Sequence, residues 1–109
     1  MGEVAESDWK LFKALLPKWQ ESYMEMLIGQ YIEMLNGGSE ASSRFWALEE
    51  RINRDKLSSG VLANDIRRST MHYEIANLLS DNVITLDVLD GFTEDINGYA
   101  RRCIGWQER

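Results

Sequence analysis

His72 is the single histidine of this sequence and Cys103 its single cysteine, and together they are the pair that thiol-based nucleophilic catalysis would need. Their surroundings speak for packing instead. Cys103 follows Leu89, Phe92, Ile96 and Tyr99 at spacings of three and four, the apolar stripe of a helix, where a thiol behaves as a small hydrophobe. His72 adjoins Tyr73 and Glu74, whereas a triad or metal partner normally comes from a distant part of the chain. A second candidate is SDNVITLDVL, residues 80–89, which looks like the second half of a calcium-binding EF-hand loop. With Ile84 at the eighth loop position, the first, third and twelfth fall on Asn77, Leu79 and Val88. Calcium needs oxygen donors at those positions, and two of the three are aliphatic. The segment therefore predicts a turn between two helices, plugged by Ile84.

The remaining chemistry is thin. Glu49 with Glu50, Asp87 with Asp90, and Glu94 with Asp95 read as solvated carboxylates, and the serine pairs at 42–43 and 58–59 mark a helix start and a loop. No phosphate-cradling glycine loop, metal-ligand spacing or nucleophile elbow occurs. The residues predict no catalytic group, no cofactor site and no metal site.

Charge offers two further candidates. Eighteen acidic and 12 basic residues give a net charge of −6, which disfavours direct nucleic-acid binding, since that affinity rests on neutralising phosphates. Arg51, Arg54, Lys56, Arg67 and Arg68 outnumber Asp55 and Asp65 between residues 51 and 68, and Arg67-Arg68-Ser69 could open a DNA-reading helix. Asp81, Asp87, Asp90, Glu94 and Asp95 form a base-free stretch whose carboxylates could occupy a phosphate-binding groove. The plain alternative is two solvated faces that attract each other weakly. Aromatic residues give the fourth candidate. Trp9, Trp46, Tyr99 and Trp106 exceed what one small core needs, and Trp and Tyr are enriched at binding surfaces.

The elements that must position these residues are helices. A chain of 109 residues, 44% apolar and 28% charged, has the size and composition of one globular domain. Its opening MGEVAESDWK lacks the hydrophobic run of a signal peptide, Gly2 lacks the Ser or Thr at position 6 of a myristoylation signal, and no apolar run approaches a membrane span. One cysteine excludes an internal disulfide, and a cytoplasmic setting is expected.

Residues 1–6 are expected to fray, with Ser7 capping a short N-terminal helical segment through Trp9, Phe12, Leu15 and Leu16 that kinks at Pro17. The longest pattern, 17–35, carries Trp19, Tyr23, Leu27 and Tyr31 beside Met24, Ile28, Ile32 and Leu35, one broad face expected to wall the core. Asn36-Gly37-Gly38 should end it in the left-handed cap conformation. A second helix capped by Ser39 would bury Ala41, Phe45, Leu48 and Ile52, with Trp46 at the edge of that stripe. After a loop at 57–60, a third helix starts near 61 or near 70 and ends at Asp81-Asn82. Thr85 caps a last helix, which Gly91 weakens and is able to break, and Trp106 and the residues 107–109 are peripheral. The expected fold is all-α: a compact single-domain bundle of four main helices with short, antiparallel connections.

FWALEERINRDK (45–56), GV (60–61) and RSTMHYEIANLLSDNVITLDVLDGF (68–92) resemble a group of short all-helical bacterial proteins with no established activity, over residues 9–97. The resemblance implies a helical fold and nothing about chemistry. The leading expectation is a non-enzymatic acidic protein that acts by binding a protein partner, with a second copy of the chain as one such partner. The next is an acidic inhibitor of a nucleic-acid enzyme, of the anti-restriction or anti-CRISPR type, and the third is a DNA-binding regulator.

Overall fold

The computed structural model describes residues 3–62 and 66–107, the side chains of Trp106 and Gln107 excepted. It contains four α-helices: α1 (Glu6–Leu35), α2 (Ala41–Asp55), α3 (Met71–Ser80) and α4 (Glu94–Gln107), with 3-10 turns at Arg68–Thr70 and Leu86–Leu89. Helix accounts for 74% and no strand occurs among the described residues, as the periodicities require. Asp65, Trp106 and residues 108–109, which entered the sequence reading, lie outside this description.

Pro17 sits inside α1, which runs through it without a break. The N-terminal segment expected to kink at Pro17 is therefore the first half of one helix, about 45 Å long at 1.5 Å per residue. Pro17 and Lys13 are both exposed, so water can take the carbonyl that the proline leaves without a donor. The helix begins before Ser7, at Glu6, and the leader ahead of it does not fray at Val4. That side chain is buried, and its carbonyl accepts a hydrogen bond from Arg68 Nε at 2.9 Å.

One apolar cluster forms the core. Phe12 and Leu16 of α1 meet Met71, Ile75, Leu78 and Leu79 of α3, and Ile96, Ala100 and Cys103 of α4, with Ile84, Leu89 and Phe92 closing it from the connection. Ile84 is buried, as the plugged-turn reading requires. The last helix does break near Gly91, into the turn 86–89 and α4. Asp8 fixes the restart. Its buried carboxylate accepts the Thr93 N–H at 2.9 Å and the Thr93 hydroxyl at 2.5 Å, placing negative charge at the N-terminus of α4.

The third helix takes its later start, at Met71, and ends in a full Schellman motif. Val83 N–H bonds the Leu78 carbonyl at 2.9 Å, Asn82 N–H bonds the Leu79 carbonyl at 3.2 Å, and Asn82 has φ 59°. The left-handed cap expected at Asn36-Gly37-Gly38 is absent. Asn36 has φ −88°, and the Arg44 guanidinium instead bonds the carbonyls of Leu35 and Ser39. Ser39 is likewise not the cap of α2, which starts at Ala41 with no side-chain cap bond.

The core uses only the first half of α1. Beyond Tyr23 the main neighbour of the helix among the described residues is α2, and Leu27 is its one buried side chain there. The broad face expected to wall the core therefore does not. The radius of gyration is 16.5 Å, against about 13 Å for a compact chain of this length. The described residues span 54 × 30 × 20 Å, with the α1–α2 hairpin extending past the core.

The loop after α2 braces that hairpin. Gln20 donates to the carbonyls of Ser59 and Leu62, and Asp81 accepts from the backbone and hydroxyl of Ser59 at 2.9 and 2.7 Å. Gly60 lies against the Tyr23 ring so closely that a Cβ would stand 2.3 Å from Cδ2. A ring on a helix cannot yield that much without moving the helix or the loop. Gly60→Ala is expected to destabilise the fold by about 1–3 kcal/mol, the usual range for overpacking. Thermal unfolding checks this: an unchanged midpoint would mean that the loop is not seated on Tyr23.

Candidate protein-binding face

The seam between α1 and α2 is unusually polar for a helical hairpin. Asp55 is the buried residue of α2, and its carboxylate accepts from Tyr31 Oη at 2.7 Å and Arg51 Nε at 2.8 Å. Arg51 also donates to Gln30, contacts the Met34 sulfur at 3.9 Å, and lies 5.7 Å from the centre of the Tyr31 ring. A buried carboxylate needs such partners, because its desolvation is otherwise uncompensated. Burial, followed by the bond to Asp55, pushes the Tyr31 pKa up to about 12.

The large apolar side chains that a seam usually holds lie beside it instead. Ile28, Ile32, Leu35, Phe45 and Ile52 are between 37 and 63% exposed. The contacts above define the direction in which each helix faces the other. At 100° per residue, Met24, Ile28 and Leu35 lie about 70–110° round α1 from that direction, and Ile32, at about 150°, stands at the outer edge of that row. Ala41, Phe45, Leu48 and Ile52 lie about 40–100° round α2 in the same rotational sense. The helices are antiparallel, with Leu35 beside Arg44 and Tyr31 beside Asp55, so equal rotations reach the same side of the hairpin. Both apolar rows therefore share one flank. The other flank carries Glu33, Ser43, Glu50 and Arg54.

Phe45 and Ile52 thus correct the expectation that their stripe is buried. α2 has one neighbouring helix and meets it through Arg44, Leu48, Arg51 and Asp55, which leaves the Phe45–Ile52 row open. Of the four aromatics expected at a binding surface, Trp46 is exposed, at 60%, with its ring edge-on to Phe45. Trp9 and Tyr99 are half-buried against the core, Trp9 stacked on Phe12 and Tyr99 edge-on to His72.

The charged candidates are largely engaged within the chain. Arg51 belongs to the seam, Arg68 holds Val4, Arg54 pairs with Asp55 at 3.6 Å, and the Arg67 backbone bonds the Thr70 hydroxyl. Lys56 is exposed. Among the acids, Asp81 holds Ser59, Asp87 accepts from Thr85, and Glu94 pairs with Arg101, while Asp90 and Asp95 are exposed.

His72 and Tyr99 line a cleft of about 200 Å³ with Asp8, Asp95 and Arg102. It is smaller than the roughly 300–1,000 Å³ of small-molecule sites, and both oxygens of Asp8 are already bonded to Thr93. Burial, followed by the bond with Cys103, raises the Tyr99 pKa. Cys103 itself is buried in the core. Among the described residues no group of three or more His, Cys, Asp or Glu is placed to hold a metal, and no helix is long and apolar enough to cross a membrane.

No family model, curated protein or solved structure matches this chain.

The seam gives a pH dependence with a definite sign. Tyr31 keeps its proton longer in the folded state than in the unfolded chain, whose tyrosines titrate near pH 10. Its contribution to stability is full below that value and is lost as pH rises through about 12. Denaturant titrations from neutral to alkaline pH should show this loss, and Tyr31→Phe should flatten that limb. A Tyr31→Phe protein with the same alkaline limb as the wild type would show that the seam does not hold the proton.

Proposed function

We propose that this protein works by binding another polypeptide through the apolar flank of the α1–α2 hairpin, without catalysis. One observation carries the reading: Ile28, Ile32, Leu35, Phe45 and Ile52 are open to solvent on one side of an arm whose other side carries Glu33, Glu50 and Arg54, with Met26 the large apolar side chain exposed there. A flank of that kind fits a binding face, since the largest exposed apolar patch of a protein, about 300–600 Å² on a typical monomer, is often its functional one. Aliphatic and aromatic groups in the middle with Glu21, Glu49 and Lys56 around them also match the apolar centre and polar rim of protein interfaces.

The acidic-mimic and DNA-binding readings draw less support. Asp81, Asp87 and Glu94 each accept a bond from a neighbouring side chain, and Arg51 and Arg68 are tied to Asp55 and Val4. Neither set is free to present all of its charge to one ligand.

Phe45 and Ile52 stand on the surface outside the core cluster, so glutamate there keeps helix propensity and leaves that core intact. Immobilised wild type and a Glu33→Lys control, altered on the opposite flank, are expected to retain the same proteins from a cell extract, and F45E/I52E is expected to lose them. Retention by F45E/I52E equal to that of the wild type, with unchanged helix content, would overturn the reading.

A further inference from the structure

The width and area of the flank say what covers it, and this step rests on reading that flank as a binding face. We propose that the occupant is a second copy of this chain, packed flank to flank about a two-fold axis so that the two hairpins close a four-helix bundle.

Ile28, Ile32, Leu35, Phe45 and Ile52 together leave on the order of 500 Å² of side-chain surface open, taking about 200 Å² for a whole large side chain. A standard interface takes about 800 Å² from each partner, of which roughly 55–65% is apolar. The flank therefore supplies the apolar share of one side of such an interface. Among the described residues no other helix covers it, because α3 and α4 are packed on the first half of α1.

Width decides between one incoming helix and two. The apolar rows lie on two neighbouring helices, whose axes in such a pair are about 8–10 Å apart. A single helix would settle in the groove between the rows, over Met24 and Leu48, and would leave the outer sides of Ile32 and Phe45 wet. A two-helix layer covers both rows, and two layers of two helices form the four-helix bundle. The second copy brings a layer of identical length and spacing, and an isologous contact sets like surface against like.

Charge permits the pairing. Residues 18–57 hold seven acidic and five basic side chains, so the arm carries −2 of the net −6.

Sedimentation of the purified full-length protein, from about 1 to about 100 µM, tests this directly, since a self-association must depend on concentration. The wild type and Glu33→Lys are expected to approach twice the chain mass of 12.6 kDa, while F45E/I52E stays at one chain mass. The wild-type midpoint in urea should also rise with protein concentration, a readout that needs no variant. A wild type that stays monomeric throughout overturns the two-copy proposal, as does a dimer that F45E/I52E leaves intact. If the chain is monomeric yet F45E/I52E still loses proteins retained from an extract, the flank binds a different polypeptide and only the two-copy step fails.

Discussion

A helix of about 45 Å cannot be covered along its whole length by partners of 10 and 14 residues that pack on one end of it. That mismatch shapes this molecule. The first half of α1 lies in a closed core with α3, α4 and the connection between them, where Phe12, Met71, Ile75 and Leu89 reach zero exposure. The second half has α2 alone. Two helices side by side form one layer, and a layer has two flanks that its own seam cannot bury. The open apolar flank follows from the length of α1 and the absence of a further helix above it.

The seam shows why the two helices nonetheless hold a definite register. Asp55 keeps Arg51 in any register, because both lie on α2, but it meets Tyr31, and Arg51 meets Gln30, only in this one. Sliding α2 by one turn would break both of these cross-helix bonds, and each bond to a charged group is worth about 1.5–3 kcal/mol. Apolar seams slide more easily, because one aliphatic contact replaces another at similar energy. With charge at the seam, the large aliphatic residues of both helices are displaced to the side. The network thus fixes the pairing and, by occupying the seam, also settles where the hydrophobic surface lies.

Much of this was legible in the sequence, and the errors have a common cause. Helical spacing located all four helices and the turn plugged by Ile84, because each depends on residues close in sequence, while Gly91 marked where the last helix was able to break without deciding that it does. The same spacing put Phe45 and Ile52 inside, and it made 17–35 a wall of the core. Periodicity reports that a helix has an apolar side, but not whether anything covers it. A helix with one neighbour and a helix with three can carry the same stripe. The Tyr31–Arg51–Asp55 network was out of reach for a related reason. Its members are 4, 20 and 24 residues apart, and Arg51 and Asp55 look like any surface pair at a spacing of four. Aromatic excess also pointed the wrong way in part, since Trp9 and Tyr99 pack on the core while the aliphatic Ile28 and Ile32 remain open.

Stability is therefore unevenly distributed along one continuous helix. The core end has its apolar cluster and the Asp8–Thr93 contact, whereas the arm has Leu27, a polar seam and the brace from 57–62. Segments with few buried apolar contacts open at lower free energy than the core, so the far turns of α1 and all of α2 belong to the less stable part of the molecule. Covering the flank adds apolar contacts where the isolated chain has fewest. Because α1 passes unbroken from the arm into the core, and because Gln20, Gly60 and Asp81 tie the loop after α2 to both, order gained in the arm also restrains the core. Association on the proposed flank would therefore be coupled to folding through the helix that the two regions share.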